Sequence, residues 1–284
     1  MVDPSVITLN YLLITAENTS FGNPVMIEEE YLDFKIKLDE GNLVVEMKEH
    51  FSSEVQARKR VEPFLKAWEL DNFLNLGTKE ISFEFLGSKI IDRNPIHSKA
   101  PKILYAEVAE FVTANDSITC HLIRKNYPKP PKGLSYSPDV ESLSKRYEGF
   151  LAGREPLISM AYFCLSLLQS SAKGRTKAAT KYKIELDILD KLGTLTSERG
   201  DRTDARKLDK DSTLIPLTNA EIEWICQTIR LIIRRKAEYD FDPASILLII
   251  NNKAYSQKKT RTIFKVKRSV YKDFQIGERL CLEQ

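Results

Sequence analysis

Phe34, Ile36 and Leu38 alternate with Lys35 and Lys37, the two-residue period of a half-buried strand. Glu40-Gly41-Asn42 then marks a turn, and Leu43, Val45 and Met47 continue the alternation as the return arm of a hairpin. Ile81, Phe83 and Phe85 repeat it. Val6 to Thr15, Ile103 to Thr113 and Ile118 to Arg124 are rich in β-branched and aromatic residues and predict further strands. Between these strands the period lengthens. Val61, Phe64, Leu65, Trp68 and Leu76 fall on or near one helical face, Ser53 and Gln56 form a capping pair before it, and Gly77 supplies a stop. Pro63 lies inside this stretch and is expected to kink or split the helix.

Tyr127-Pro128-Lys129-Pro130-Pro131-Lys132-Gly133 suits neither a central strand nor a helix, and its prolines favour an extended spacer. Pro128 and Pro131 also have PxxP spacing. From Val140 the period is helical. Leu157, Ile158, Ala161, Tyr162, Leu165 and Leu168 line one helix, with Pro156 near its first turn. A second helix is expected from Thr176 to Leu195, with Ile184, Ile188, Leu192 and Leu195 as its stripe and Gly193 weakening its end. Thr196 to Pro216 is polar and poorly periodic. Thr218 and Glu221 then open a third helix, with Ile222, Ile225, Cys226, Ile229 and Ile233 on its buried face.

These patterns predict an α+β chain: a mainly antiparallel sheet with one helix over 1–126, a Pro-rich linker over 127–138, a helical bundle over 139–250 and a C-terminal segment over 251–284. Two domains suit 284 residues.

Charge changes the picture only locally. Forty-three basic against 40 acidic side chains leave +3, but residues 1–50 carry 3 basic and 10 acidic side chains, a net of −7, and residues 251–284 carry 9 and 3, a net of +6. The two ends either attract one another or remain solvated. Four dispersed cysteines, Cys120, Cys164, Cys226 and Cys281, form no CxxC pair and read as free thiols in a reducing compartment. The N-terminus has no signal-peptide pattern, and the longest apolar stretch, Pro156 to Leu168, is too short for a bilayer. A soluble, cytoplasmic protein without a membrane partner is expected.

Several chemistries lack their residues. The only histidines are His50, His97 and His121, none in the helical half, so a Ser-His-Asp triad would have to draw its base from the strand domain, where no nucleophile elbow is visible, and no HExxH occurs. Neither GxxxxGK[ST] nor GxGxxG occurs, and no cofactor or metal is expected. Two basic clusters remain. Lys173, Arg175, Lys177, Lys181 and Lys183 are five bases in eleven residues without an acid. Bases at a helix start oppose the macrodipole, so this run is either a solvated surface or an anion site. The other cluster is Arg230, Arg234, Arg235 and Lys236, late in the third helix, where the macrodipole favours cations.

A helical bundle whose last strong helix carries Arg234-Arg235-Lys236-Ala237-Glu238-Tyr239-Asp240 resembles the HEPN superfamily, the higher eukaryotic and prokaryotic nucleotide-binding proteins. The resemblance covers roughly 140–245. It implies metal-independent ribonuclease chemistry in a toxin or antiviral setting, with Arg234, Arg235, Glu238 and Tyr239 as the candidate catalytic residues. The family signature is an arginine followed a few residues later by histidine; here Tyr239 stands four residues after Arg235.

Two functions follow as expectations. The first is a non-enzymatic module that binds a protein or RNA, with Lys173, Arg175, Lys177, Lys181, Lys258, Lys259, Arg261, Lys265, Lys267 and Arg268 meeting phosphates or another anion. Tyr255, Phe264, Tyr271 and Phe274 among the C-terminal bases either stack on nucleobases or form a buried terminal strand. The second is the divergent ribonuclease. A homodimer through the third helix is a further expectation, because Ile222, Ile225, Cys226, Ile229, Leu231, Ile232 and Ile233 spread beyond one face. Coverage within the chain, by the α+β domain or by Ile246 to Ile250, is the alternative.

Overall fold

A computed structural model describes residues 4–92, 122–199, 215–244 and 249–250. The chain is α+β and divides into two units, Met1–Tyr136 and Ser137–Gln284.

In the first unit the elements run β1 (Ser5–Thr15), β2 (Thr19–Phe21), β3 (Ile27–Glu30), β4 (Phe34–Asp39), β5 (Asn42–Met47), α1 (Glu54–Leu76), β6 (Ile81–Ile91) and β7 (Leu122–Arg124). Five strands form an antiparallel sheet ordered β3-β4-β5-β1-β6, while β2 and β7 pair in parallel beside one another. The hairpin turn is set by backbone conformation. Glu40 and Gly41 both have positive φ, 46° and 78°, as a two-residue turn matched to strand twist requires. The alternation then puts Phe34, Ile36, Leu38, Leu43 and Val45 on the buried face, against Ala57, Val61, Leu65 and Trp68 of α1.

α1 is one helix of 23 residues despite Pro63. Pro63 and Lys59, whose carbonyl loses its partner, are both exposed, so water replaces the missing bond and no break is needed. Its ends follow the expected capping: Gln56 N–H donates to Ser53 Oγ at 3.4 Å, and Gly77, at φ 77°, donates to Phe73 O at 2.7 Å.

The Pro-rich stretch departs from the reading of a free spacer. Tyr127, Pro130, Pro131 and Leu134 are buried. The Tyr127 hydroxyl accepts from Gly41 N–H at 2.8 Å, and Trp68 Nε1 donates to Pro128 O at 3.1 Å. An extended proline segment leaves its carbonyls unpaired, and a buried indole N–H needs an acceptor. The unit therefore ends at Tyr136 rather than before the prolines. The predicted strand Ile103 to Thr113 lies outside the described residues, as does most of Ile118 to Arg124.

The second unit contains α2 (Pro138–Leu151), α3 (Leu157–Ala172), α4 (Arg175–Tyr182), α5 (Leu186–Glu198) and α6 (Asn219–Phe241). The helix expected from Thr176 to Leu195 is broken in two. Lys183 adopts a left-handed φ of 51°, and the chain around Ile250 pairs with the exposed backbone of the break. Ile250 N–H donates to Lys183 O at 2.9 Å, and Glu185 N–H donates to Ile250 O at 3.0 Å. α5 also extends past its expected end, keeping Thr196 helical and buried with its hydroxyl bonded to Leu192 O at 2.8 Å.

α6 opens with a complete capping box between Thr218 and Glu221. It packs against α2, α3, α4 and α5, which explains its wide apolar stripe. Ile225, Ile229, Ile232 and Ile233 are buried and Ile222, Cys226 and Leu231 are half-buried within the unit. The breadth that suggested a second copy of the chain is thus accounted for by four neighbouring helices.

Candidate nucleic-acid interface

The region begins where α3 stops. Lys173 takes a left-handed φ of 58° and Gly174 a φ of 130°, a conformation open to glycine, and the Gly174 N–H caps α3 by donating to Gln169 O at 2.8 Å. This sharp reversal starts α4, whose N-terminus has neither a side-chain cap nor an acid in its first turn. Lysines in left-handed geometry bracket the helix at both ends, Lys173 before it and Lys183 after it. Each is strained relative to ordinary helix.

The cations of the run have different fates. Arg175 turns away from the helix start to pair with Asp190 of α5, Nη1 to Oδ1 at 2.9 Å. It lies across Gly193, where an added Cβ would come within 2.6 Å of Arg175 Nη2, so this glycine makes room for a guanidinium. Lys181 donates to Ser171 O at 3.1 Å, and its Nζ lies 5.1 Å and 5.0 Å from the ring centroids of Tyr182 and Tyr239. Lys173, Lys177 and Lys183 are exposed, and no carboxylate of the described residues pairs with them. Lys177 and Lys181 are one turn apart and so lie on one side of α4.

Tyr182 and Tyr239 form the floor beside Lys181. Tyr182 is fully buried, its hydroxyl 2.7 Å from Ser171 Oγ, and its ring meets Tyr239 edge to face at 5.1 Å between centroids. Tyr239 is half-buried.

The arginine-rich turn of α6 is committed inward. Arg235 is 7% exposed; its Nη1 donates to Tyr182 O at 3.3 Å and its Nε pairs with Glu238 at 3.0 Å. Arg235 thereby satisfies a last-turn carbonyl of α4, where the helix dipole favours a cation. Burial lowers its pKa, opposed by Glu238. Lys236 is 5% exposed and pairs with Asp240 at 2.5 Å and with Asp139 of α2 at 3.0 Å; Asp240 also accepts from Ser137 Oγ at 2.5 Å. Burial alone pulls the Lys236 ammonium down, but hydrogen bonds and charge from Asp240 and Asp139 outweigh it and leave the pKa raised. Arg234 is half-buried and has partners of its own.

The structure places Lys173, Lys177 and Lys181 on or next to α4 and brings Lys181 against Tyr182 and Tyr239, whereas the side chains of Arg235 and Lys236 tie α6 to the end of α4 and to α2. Lys258, Lys259, Arg261, Lys265, Lys267 and Arg268, with Tyr255, Phe264, Tyr271 and Phe274, lie outside the described residues. Sequence reading missed the Ser137–Asp139–Lys236–Asp240 network and the Tyr182 floor. The i,i+4 spacing of Lys236 and Asp240 was a visible signal for the former. Among the described residues no cluster of His, Cys, Asp and Glu has the arrangement to hold a metal ion, and no helix is long and apolar enough to cross a membrane. Cys164 and Cys226 are free thiols; burial pushes the latter up to about 11.

Comparison with protein-family models, with curated proteins and with solved structures finds no match to this chain.

Proposed function

We propose that this protein is a non-enzymatic binding module whose helical unit engages the phosphates of a nucleic acid through α4. The observation that carries this reading is the contrast between neighbouring cations: Arg175, Arg235 and Lys236 are paired with carboxylates, whereas Lys173, Lys177 and Lys183 are exposed and have no carboxylate partner among the described residues. An unneutralised run repels itself and gains by meeting a polyanion. The ribonuclease alternative, acting through Arg234, Arg235, Glu238 and Tyr239, has less support, because Arg235 and Glu238 are bound to one another and Arg235 to a helix end. A phosphate would have to displace both contacts.

The test is a fluorescence-anisotropy titration of the full chain with labelled RNA and DNA across a salt series. Lys173→Gln/Lys177→Gln is expected to weaken binding uniformly across sequences and to reduce the salt slope by about 2, one for each lost phosphate contact. Unchanged affinity and slope in that variant would remove α4 as the contact surface. Incubating structured and single-stranded RNA with the wild type and Arg235→Ala checks the alternative: cleavage lost in the variant would favour it.

A further inference from the structure

We infer that the α4 surface selects single-stranded over duplex nucleic acid, because Tyr239 offers a stacking face at the end of the lysine run. This rests on the phosphate-binding reading above and adds what that reading leaves open. Lysines alone meet any polyanion. Here the run ends on an aromatic ring held by its surroundings: Tyr239 packs edge to face on the fully buried Tyr182, which is itself pinned through its hydroxyl to Ser171. A ring so fixed loses little further freedom when a base stacks on it.

The position of Lys181 supplies the coupling. Its ammonium lies about equally far from both tyrosine rings and is held by one backbone carbonyl, Ser171 O. A cation there shields the ring from bare water and gains from the ring's negative face. A phosphate arriving at Lys177 and Lys181, whose Cβ atoms are about 5–6 Å apart across one turn, draws the ammonium outward. The base attached to that phosphate then takes the cation's place on Tyr239. A duplex meets the lysines equally well but keeps its bases stacked on one another, so it gains nothing from the ring. Electrostatic contact and stacking thus converge on one nucleotide of a single strand.

The full chain is titrated with labelled oligouridylate, oligothymidylate, an RNA duplex of equal length and inorganic polyphosphate, using wild type, Tyr239→Leu, Tyr239→Phe and Tyr239→Trp. Tyr239→Leu is expected to weaken both single strands about tenfold or more and to leave the duplex and polyphosphate unmoved. Tyr239→Phe and Tyr239→Trp keep the ring and the affinity. Fluorescence of Tyr239→Trp, read as its difference from wild type, is expected to be quenched by single strands and unaffected by polyphosphate. That readout stands even where the leucine variant loses packing against Tyr182. Equal binding of all four probes with no Tyr239 effect and no quenching would overturn the single-strand inference while leaving phosphate binding intact. No binding of any probe would overturn both.

Discussion

Replacing Lys236 by methionine tests the claim that the arginine-rich turn of α6 builds the helical unit rather than meeting a ligand. The ammonium is buried, and its side chain, 6% exposed, bonds both oxygens of Asp240 and pairs with Asp139. Methionine keeps the volume and apolar stem but leaves two carboxylates without their cation. Removing one partner of a buried pair costs about 3–5 kcal/mol. The value here falls below the top of that range, because the Asp139 side chain is 46% exposed and can rehydrate, while Asp240, 16% exposed, retains the Ser137 hydroxyl. A loss of about 2–4 kcal/mol is therefore expected. Adding Asp240→Asn removes the orphaned charge and is expected to recover part of that loss, with a coupling of about 1–3 kcal/mol between the sites. Urea denaturation followed by helical circular dichroism reads both, with the two units fitted as separate transitions. An exposed cation would behave otherwise: Lys177→Met is expected to change stability by no more than about 0.5 kcal/mol. If Lys236→Met costs as little as Lys177→Met and is additive with Asp240→Asn, the reasoning is refuted. The sign with pH follows from the raised Lys236 pKa: its contribution is fully present below the ordinary lysine pKa and is lost as pH rises through the higher folded value.

Two further outcomes test the local structure. Thr218→Ala removes the hydroxyl that accepts from Glu221 N–H and donates to its carboxylate, and a loss of about 1 kcal/mol is expected from urea midpoints. The backbone N–H and hydroxyl of Thr218 hold the Glu221 carboxyl below the usual carboxylate range, so this contribution is present above the ordinary glutamate pKa and disappears as pH falls through the lower folded value. The gap between wild type and variant should accordingly narrow in acid. Gly193→Ala pushes the Arg175 guanidinium off α5 and breaks its pair with Asp190, but helix propensity gains up to about 1 kcal/mol, so the net change in thermal stability is expected to be near zero. A loss above about 2 kcal/mol would show that Arg175 cannot move aside.

Local rules carried much of this architecture in the sequence. The alternation of Phe34 to Met47, the Glu40-Gly41 turn, and the caps at Ser53, Gly77 and Thr218 all appear as read, because each depends on residues within a few positions of one another. The basic run around α4 was equally legible as a composition. What became of each cation was not. Arg175 and Lys177 are two residues apart, yet one pairs with Asp190 and the other stays exposed; Arg235 and Lys236 look like a ligand-binding turn until Tyr182, Asp139 and Ser137 arrive from other helices. The break at Lys183 depends on Ile250, more than sixty residues downstream, and the burial of the proline segment depends on Trp68 and Gly41. The continuity of α1 through Pro63 depends on which side of the helix meets water. Periodicity and capping are short-range and act before the chain folds back on itself. Desolvation and ion pairing take their value from whatever is brought alongside, and only the tertiary structure decides that.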